Sequence, residues 1–350
     1  MSSNTKRKLS CDEKSCQIAK ISSTVTQTLS CPITLGLLVD PVLAEDGQIY
    51  ERKAIEQWLK SHDGSPLNPN MNLKIKNLTP VRILQQSIEE LIKSNAVEED
   101  LVEQWNTQKK EYDLSKAGSL YRKGLVMDAA KLGLPKAQGE VSAWYWDGKN
   151  GMEVNHVKAV EWAEKAVEGG DMLGTMYMAA GYQFGAWGVK QDVSKAIDLF
   201  KKVAEQEYSI AMYSKKEVAK ICSTAMKNLG DIYRCGCVFG CELDHDNFHM
   251  SADWYHKSAS AGCVEAMLAI GELQLLGEGV TKDPRSAWKW FSKVKGDKSK
   301  PEADFEMGKM LMKGEGVYQN MSSGFLLIER SASKGFSPAE KTVKNILSQI

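Results

Sequence analysis

The spacing of apolar positions divides the chain into two regimes. Val39 to Leu43 and Gln48 to Tyr50 flank a turn-rich Glu45-Asp46-Gly47, which predicts a short hairpin. From Glu51 the period becomes helical. Ile55, Trp58 and Leu59 stand at i, i+3 and i+4, the face of one helix, which Asp63-Gly64-Ser65-Pro66 brings to an end. A loop runs to Thr79-Pro80, and Ile83, Leu84, Ile88, Leu91 and Ile92 then share one face of a second helix.

Beyond residue 114 the pattern is helical and repeats itself. Lys158-Ala159, Lys195-Ala196, Ser251-Ala252, Ser286-Ala287 and Ser323-Gly324 hold equivalent places, at spacings of 37, 56, 35 and 37 residues. The long interval contains one insertion, near 207–221. Each small residue is followed by an aromatic or apolar patch: Trp162, Phe200, Trp254-Tyr255, Trp288 with Trp290-Phe291, and Phe325. Four residues before the small residue stand Asn155, Asp192, Asp283 and Asn320, side chains that accept the free N–H groups of a first helical turn. The third copy breaks the rule, with Phe248 at that place and Asn247 one earlier. Asp113, four before Ala117, reads as the start of an incomplete first unit. Each unit is thus two helices, joined by a link such as Leu276-Gly277-Glu278-Gly279-Val280 or Lys313-Gly314-Glu315-Gly316-Val317. These glycines are not a phosphate loop, because no Lys-Ser/Thr pair follows in the required spacing and the link recurs with the repeat.

Composition adds limits. Lys+Arg and Asp+Glu both total 45 in 350 residues, so nothing supports a general nucleic-acid or membrane-surface binder. No apolar run reaches membrane-spanning length, and residues 1–23 are polar, without a signal-peptide core; an intracellular protein is expected, cytoplasmic in the first instance with the nucleus as the alternative. The eight cysteines are scattered and read as reduced thiols.

The segment 24–95 is a small α+β unit of the size that often needs a metal staple. It holds one Cys, Cys31, and one His, His62, too few for a four-coordinate zinc. The fold must therefore rest on polar and hydrophobic contacts, with Leu37, Val42, Tyr50 and Ile55 as core candidates and Asp40 and Arg52 as members of a polar network. A second cluster, Cys235, Cys237, Cys241, His245 and His249, has the density of a zinc site, but C-x-C-x3-C-x3-H-x3-H is not a standard finger spacing and a Cys-rich loop is the stronger reading. No cofactor is expected.

Cys31-Pro32-Ile33, Asp40-Pro41-Val42 and Gly47-Gln48-Ile49-Tyr50-Glu51-Arg52, followed by Ile55 and Trp58, occur in an order and spacing that resembles the U-box, the zinc-free relative of the RING finger. The resemblance implies a ubiquitin-protein ligase that docks a ubiquitin-charged conjugating enzyme. It places the docking groove at Ile33, Leu35, Trp58 and Pro66, and requires no nucleophile from this chain; Cys31 stands beside Pro32 with no His near it in sequence. One departure concerns the residue that bridges enzyme and ubiquitin after the second-loop Pro. Here the run is Pro66-Leu67-Asn68-Pro69-Asn70, which leaves Asn68 and Asn70 as candidates. The helical units resemble Sel-one-like repeats, relatives of tetratricopeptide repeats, which implies a solenoid that binds a protein substrate or adaptor.

The expected architecture is therefore mainly α: a polar, disordered 1–23; a U-box at 24–95; a charged helical link at 96–113, either separating the domains or continuing the U-box helix; about five repeats over 114–337; and a capping helix at 338–350. The alternative function is a non-catalytic scaffold with a degenerate U-box. Substrate, conjugating enzyme and oligomeric state are left open by the sequence.

Overall fold

The computed structural model describes residues 27–185, 188–205, 212–235, 248–294 and 300–348. The chain forms two compact units, Met1–Arg122 and Lys123–Ile350.

The first unit is built on a three-stranded antiparallel sheet of order β2-β1-β3, with β1 at Pro41–Leu43, β2 at Ile49–Glu51 and β3 at Thr79–Pro80. Val42 sits opposite Tyr50 on one side and Pro80 on the other. Pro80 lies in an edge strand, where its missing N–H costs no ladder bond. The expected hairpin turn is closed by Ala44 N–H to the Gln48 carbonyl at 2.9 Å, with Gly47 in the left-handed region at φ 76°. Helix α1 covers Arg52–Trp58 and α2 Arg82–Lys93. Leu37, Val42, Tyr50 and Ile55 are buried together with Cys31, Leu38 and Ile88. Ile83 departs from the expected helix face: it is 78% exposed, because the buried face of α2 is the stripe of Leu84, Ile88 and Leu91.

The charged segment after α2 neither continues that helix nor runs free. Asn95 takes φ 54°, and Ala96 N–H bonds back to the Leu91 carbonyl at 3.1 Å, which stops α2. A new 24-residue helix, α3 (Glu99–Arg122), then packs on the sheet unit. Trp105 is its anchor, buried and donating its indole N–H to the Leu38 carbonyl at 3.1 Å. Asp113 lies inside α3, paired with Lys109 at 3.2 Å, so it caps no repeat helix.

The second unit is helical among its described residues: α4 (Val126–Lys131), α5 (Pro135–Asp147), α6 (His156–Glu168), α7 (Met172–Phe184), α8 (Val193–Ala204), α9 (Lys215–Arg234), α10 (Phe248–Ser260), α11 (Val264–Leu276), α12 (Pro284–Val294), α13 (Pro301–Lys313), α14 (Met321–Ser333) and α15 (Ser337–Leu347). The four expected caps hold: Asn155, Asp192, Asp283 and Asn320 each accept the backbone N–H three residues on, at 2.9–3.1 Å. Asn247 lies outside the described residues. The small residues Ala159, Ala196, Ala252 and Ala287 are buried. Glycines on the preceding helices seat large side chains: a Cβ on Gly230 would lie 2.6 Å from the Tyr255 ring, one on Gly271 2.6 Å from Phe291, and one on Gly308 2.6 Å from Ile328. The Gly-rich links have the structural role inferred for them. Gly279 at φ 66° leaves no room for a Cβ against the backbone of Phe248, and Gly316 at φ 74° none against that of Pro284. Each link therefore abuts the start of a helix in the unit before it.

The insertion is partly absorbed into α9, which begins with a Ser214–Glu217 capping box. Its end is fastened to earlier helices, by Lys136 Nζ to the Met212 carbonyl at 2.7 Å and by the Tyr213 hydroxyl to Asp171 at 2.6 Å. Among the described residues no helix is long and apolar enough to cross a membrane.

Candidate functional site

The first loop is shaped by its own backbone. Cys31 N–H bonds to the Gly36 carbonyl and Leu35 N–H to the Cys31 carbonyl, both at 2.8 Å. This tight loop forces Leu35 to φ 60°, a region that costs an L-residue about 1 kcal/mol or more. The side chain is thereby 77% exposed. Ile33, two residues earlier, rests one side on the core and leaves the other at the surface.

The loop is held from beneath by polar contacts. Cys31 is fully buried, and its Sγ accepts the Glu51 N–H at 3.2 Å. The Glu51 carboxylate accepts Val39 N–H at 2.7 Å and Asp40 N–H at 3.1 Å. Burial pushes the Glu51 carboxyl up, against the pull of those two donors. Asp40 is in turn bound by Arg52 Nε at 2.7 Å. Asp40 and Arg52 are thus the network pair anticipated from sequence, with Glu51 as a further member.

A second network fastens the second loop to the hairpin. Asp46 accepts the Tyr50 hydroxyl at 2.8 Å and the Ser65 hydroxyl at 2.5 Å, and Ser65 Oγ accepts the N–H groups of Leu67 and Asn68 at 3.1 and 3.0 Å. Burial pushes the Tyr50 phenol up to about 12. Glu45 binds the same loop further on, at Lys74 N–H and Asn77 Nδ2. Two loops that a RING finger ties with metal are here tied by carboxylates to backbone N–H groups. Among the described residues no group of three or more His, Cys, Asp or Glu could hold a metal ion.

Trp58 joins α1 to the second loop. Its indole N–H donates to the Gly64 carbonyl at 2.9 Å, two residues before the half-buried Pro66. One face of the ring is stacked on His62, with centroids 3.9 Å apart and planes inclined by 9°. Trp58 is half-buried against the core, so part of the ring stays at the surface. Asn68 and Asn70 both expose their side chains on this loop. The stacking of His62 on Trp58 has no helical signal in the sequence, because α1 ends at Trp58 and His62 is carried back by the turn that its N–H closes on the Trp58 carbonyl at 3.0 Å. Sequence reasoning missed Leu67, 55% exposed beside Pro66, and the two network carboxylates Glu51 and Asp46.

The arrangement presents apolar side chains on pinned loops, and its cysteine, Cys31, is sealed in the core. In the repeat unit, Cys235 ends α9 and His249 is exposed on α10; Cys237, Cys241 and His245 lie outside the described residues.

Comparison with known proteins agrees with this geometry. The U-box domain model matches residues 25–97, and the Sel1 repeat model matches 135–171, 175–208, 223–263, 264–293 and 301–336. Chitin synthase regulatory factor 3 of Schizosaccharomyces pombe is 27% identical over 238 residues, 66% of this chain and 23% of that protein. The human WD repeat, SAM and U-box domain-containing protein 1 is 35% identical over 77 residues, 22% of this chain and 16% of that protein. The E3 ubiquitin-protein ligase SPL11 of Oryza sativa subsp. japonica is 33% identical over 75 residues, 21% of this chain and 11% of that protein. Each of these matches spans less than a quarter of the relative's own length. Among solved structures, c5321, a protective antigen of uropathogenic Escherichia coli with an SLR fold, superposes with a TM-score of 0.52 at 24% identity, covering 70% of this chain and 51% of that one; it shows the fold alone. With repeat matches over half its length and a U-box match ahead of them, the chain belongs to the Sel1-repeat family and carries a U-box domain at residues 25–97.

Proposed function

We propose that this protein is a ubiquitin-protein ligase. Its U-box docks a ubiquitin-charged conjugating enzyme on Ile33, Leu35, Trp58 and Pro66, and its repeats hold a protein substrate or adaptor. The observation that carries the reading is Leu35. A leucine held at φ 60° and 77% exposed is a costly arrangement for a residue with no partner, and the loop beneath it is fixed by Cys31, Glu51 and Trp105. A related E3 ubiquitin-protein ligase supports the same class of activity. In this mechanism the thioester belongs to the conjugating enzyme. The ligase brings that thioester and a substrate Lys together, a gain in effective concentration with no covalent step on this chain. Asn68 and Asn70 are the side chains placed to hydrogen-bond the enzyme–ubiquitin pair. Action in the cytoplasm or nucleus belongs to this proposal.

A second reading, a scaffold without transfer activity, is favoured by one observation: Pro69 stands where the resemblance to RING-type ligases expects a hydrogen-bonding side chain, and Pro donates nothing. Self-ubiquitination with a panel of conjugating enzymes separates the two. The ligase reading expects activity with at least one enzyme, reduced tenfold or more by Ile33→Ala and by Trp58→Ala. Silence with every enzyme supports the scaffold, and activity unchanged in both variants refutes this docking face.

A further inference from the structure

The repeat unit carries a groove whose lining is cationic and aromatic and contains no carboxylate. It lies along α10, α11 and α12 and is formed by His256, Gln274, Trp288, Lys289, Trp290 and Lys293, with Ser286 and Ser292 between them. Lys293 lies over the Trp290 ring at 3.9 Å, and His256 meets the same ring edge-on at 5.6 Å. The two serine hydroxyls are already donating, Ser286 to Asp283 at 2.6 Å and Ser292 to the Trp288 carbonyl at 2.7 Å. The charged donors in the groove are Lys289 and Lys293, with His256 beside them. Asp283, which caps α12, is held below the usual carboxylate range chiefly by Ser286, with Lys289 as a smaller cause, and makes no ion pair with it among the described residues.

This charge pattern is local. The groove along α6–α8 mixes Glu164, Glu168 and Asp198 with Lys195 and Lys202, so its lining carries both signs of charge. Helix α12, by contrast, carries Arg285, Lys289 and Lys293 without one acidic residue in Pro284–Val294, in a chain of zero net charge. The second observation is independent of charge: Trp288 is only half-buried beside the exposed Lys289, so the groove also offers an aromatic surface.

We infer that this groove binds an acidic peptide segment. Its carboxylates meet Lys289, Lys293 and His256, and an apolar side chain lies against Trp288. Two lysines and one histidine are too few to follow a phosphate backbone, which favours a peptide over nucleic acid. The inference rests on the proposal that the repeats bind protein, and it names the chemical class of what they hold.

The test is selection of a random dodecamer peptide library on the full chain, followed by affinity measurement for enriched peptides. The expected result is a clear excess of Asp and Glu in the selected sequences. Their affinity should fall tenfold or more in the Lys289→Glu/Lys293→Glu double variant, and it should fall with added salt. Both lysines are exposed, so the variant should melt like wild type. A library that yields no binder, selected sequences without acidic excess, equal affinity for the double variant, or competition by a single-stranded RNA dodecamer would overturn the inference. Self-ubiquitination does not pass through this groove. A chain that lacks ligase activity but selects acidic peptides leaves the groove standing, and an active ligase that selects none ends it.

Discussion

Leu35 concentrates the tension between folding and function at the residue scale. Its φ of 60° is one glycine would adopt without strain. Leu35→Gly should therefore leave thermal stability nearly unchanged, since relief of about 1 kcal/mol of strain offsets the added chain entropy of Gly. Docking of a charged conjugating enzyme should nevertheless weaken severalfold in a pull-down or titration. Loss of both fold and docking would make Leu35 a structural residue instead. Sequence placed Leu35 in the groove by resemblance, but the left-handed backbone that pushes it outward comes from the Cys31–Gly36 loop closure and has no sequence marker. Asp171 offers a second test. It is buried, caps α7 and is pushed up to about 6 by burial, outweighing its bonds from Tyr213 and the N–H groups of the helix start. Its folded value lies above its ordinary one, so the native state binds the extra proton. Its contribution is complete below about pH 4 and is lost as pH rises through about 6, a change of the order of 3 kcal/mol. The difference in melting between wild type and Asp171→Asn should follow that window; a difference flat from pH 4 to 7 would contradict it.

The same division between the legible and the hidden holds for the secondary-structure elements. The hairpin, α1 and α2 were readable because one face of each is buried, which imposes a period. The repeat caps were readable because Asn and Asp stand at fixed offsets. Helix α3 is legible in the sequence only as a charged helical link; its packing on the sheet is not, because it depends on Trp105, whose partner Leu38 is 67 residues away in sequence. Trp105→Ala should cost the U-box unit about 3 kcal/mol and expose the β1–β2 hairpin to amide hydrogen exchange. Unchanged exchange would mean that α3 is dispensable. In the repeats, the aromatic seam was visible but its glycine seats were not, because a glycine inside a helix carries no pattern. Gly271→Ala brings a methyl to 2.6 Å from Phe291 and should destabilise the second unit by about 1–3 kcal/mol, as measured by chemical unfolding.

On the scale of the whole molecule, two compact units divide the chemistry. One presents a small apolar face on loops tied by Glu51, Asp46 and Glu45; the other stacks helix pairs on glycine seats and carries the cationic groove. Carboxylate-to-backbone bonds do in the first unit what zinc does in a RING finger, so chelator should leave its unfolding transition unmoved, where a zinc-dependent fold would collapse. That substitution was legible as arithmetic, two potential ligands where eight are needed, while the identity of the replacing groups emerged only from the geometry. The central claim is that this face accelerates ubiquitin transfer, and single-turnover discharge measures it most directly. A conjugating enzyme charged with ubiquitin is mixed with excess free lysine, with and without the full chain. Discharge should be at least tenfold faster with one or more conjugating enzymes, and the acceleration should be lost in Ile33→Ala and Trp58→Ala. Discharge that the chain does not accelerate with any enzyme, or that both variants accelerate equally well, would contradict the claim.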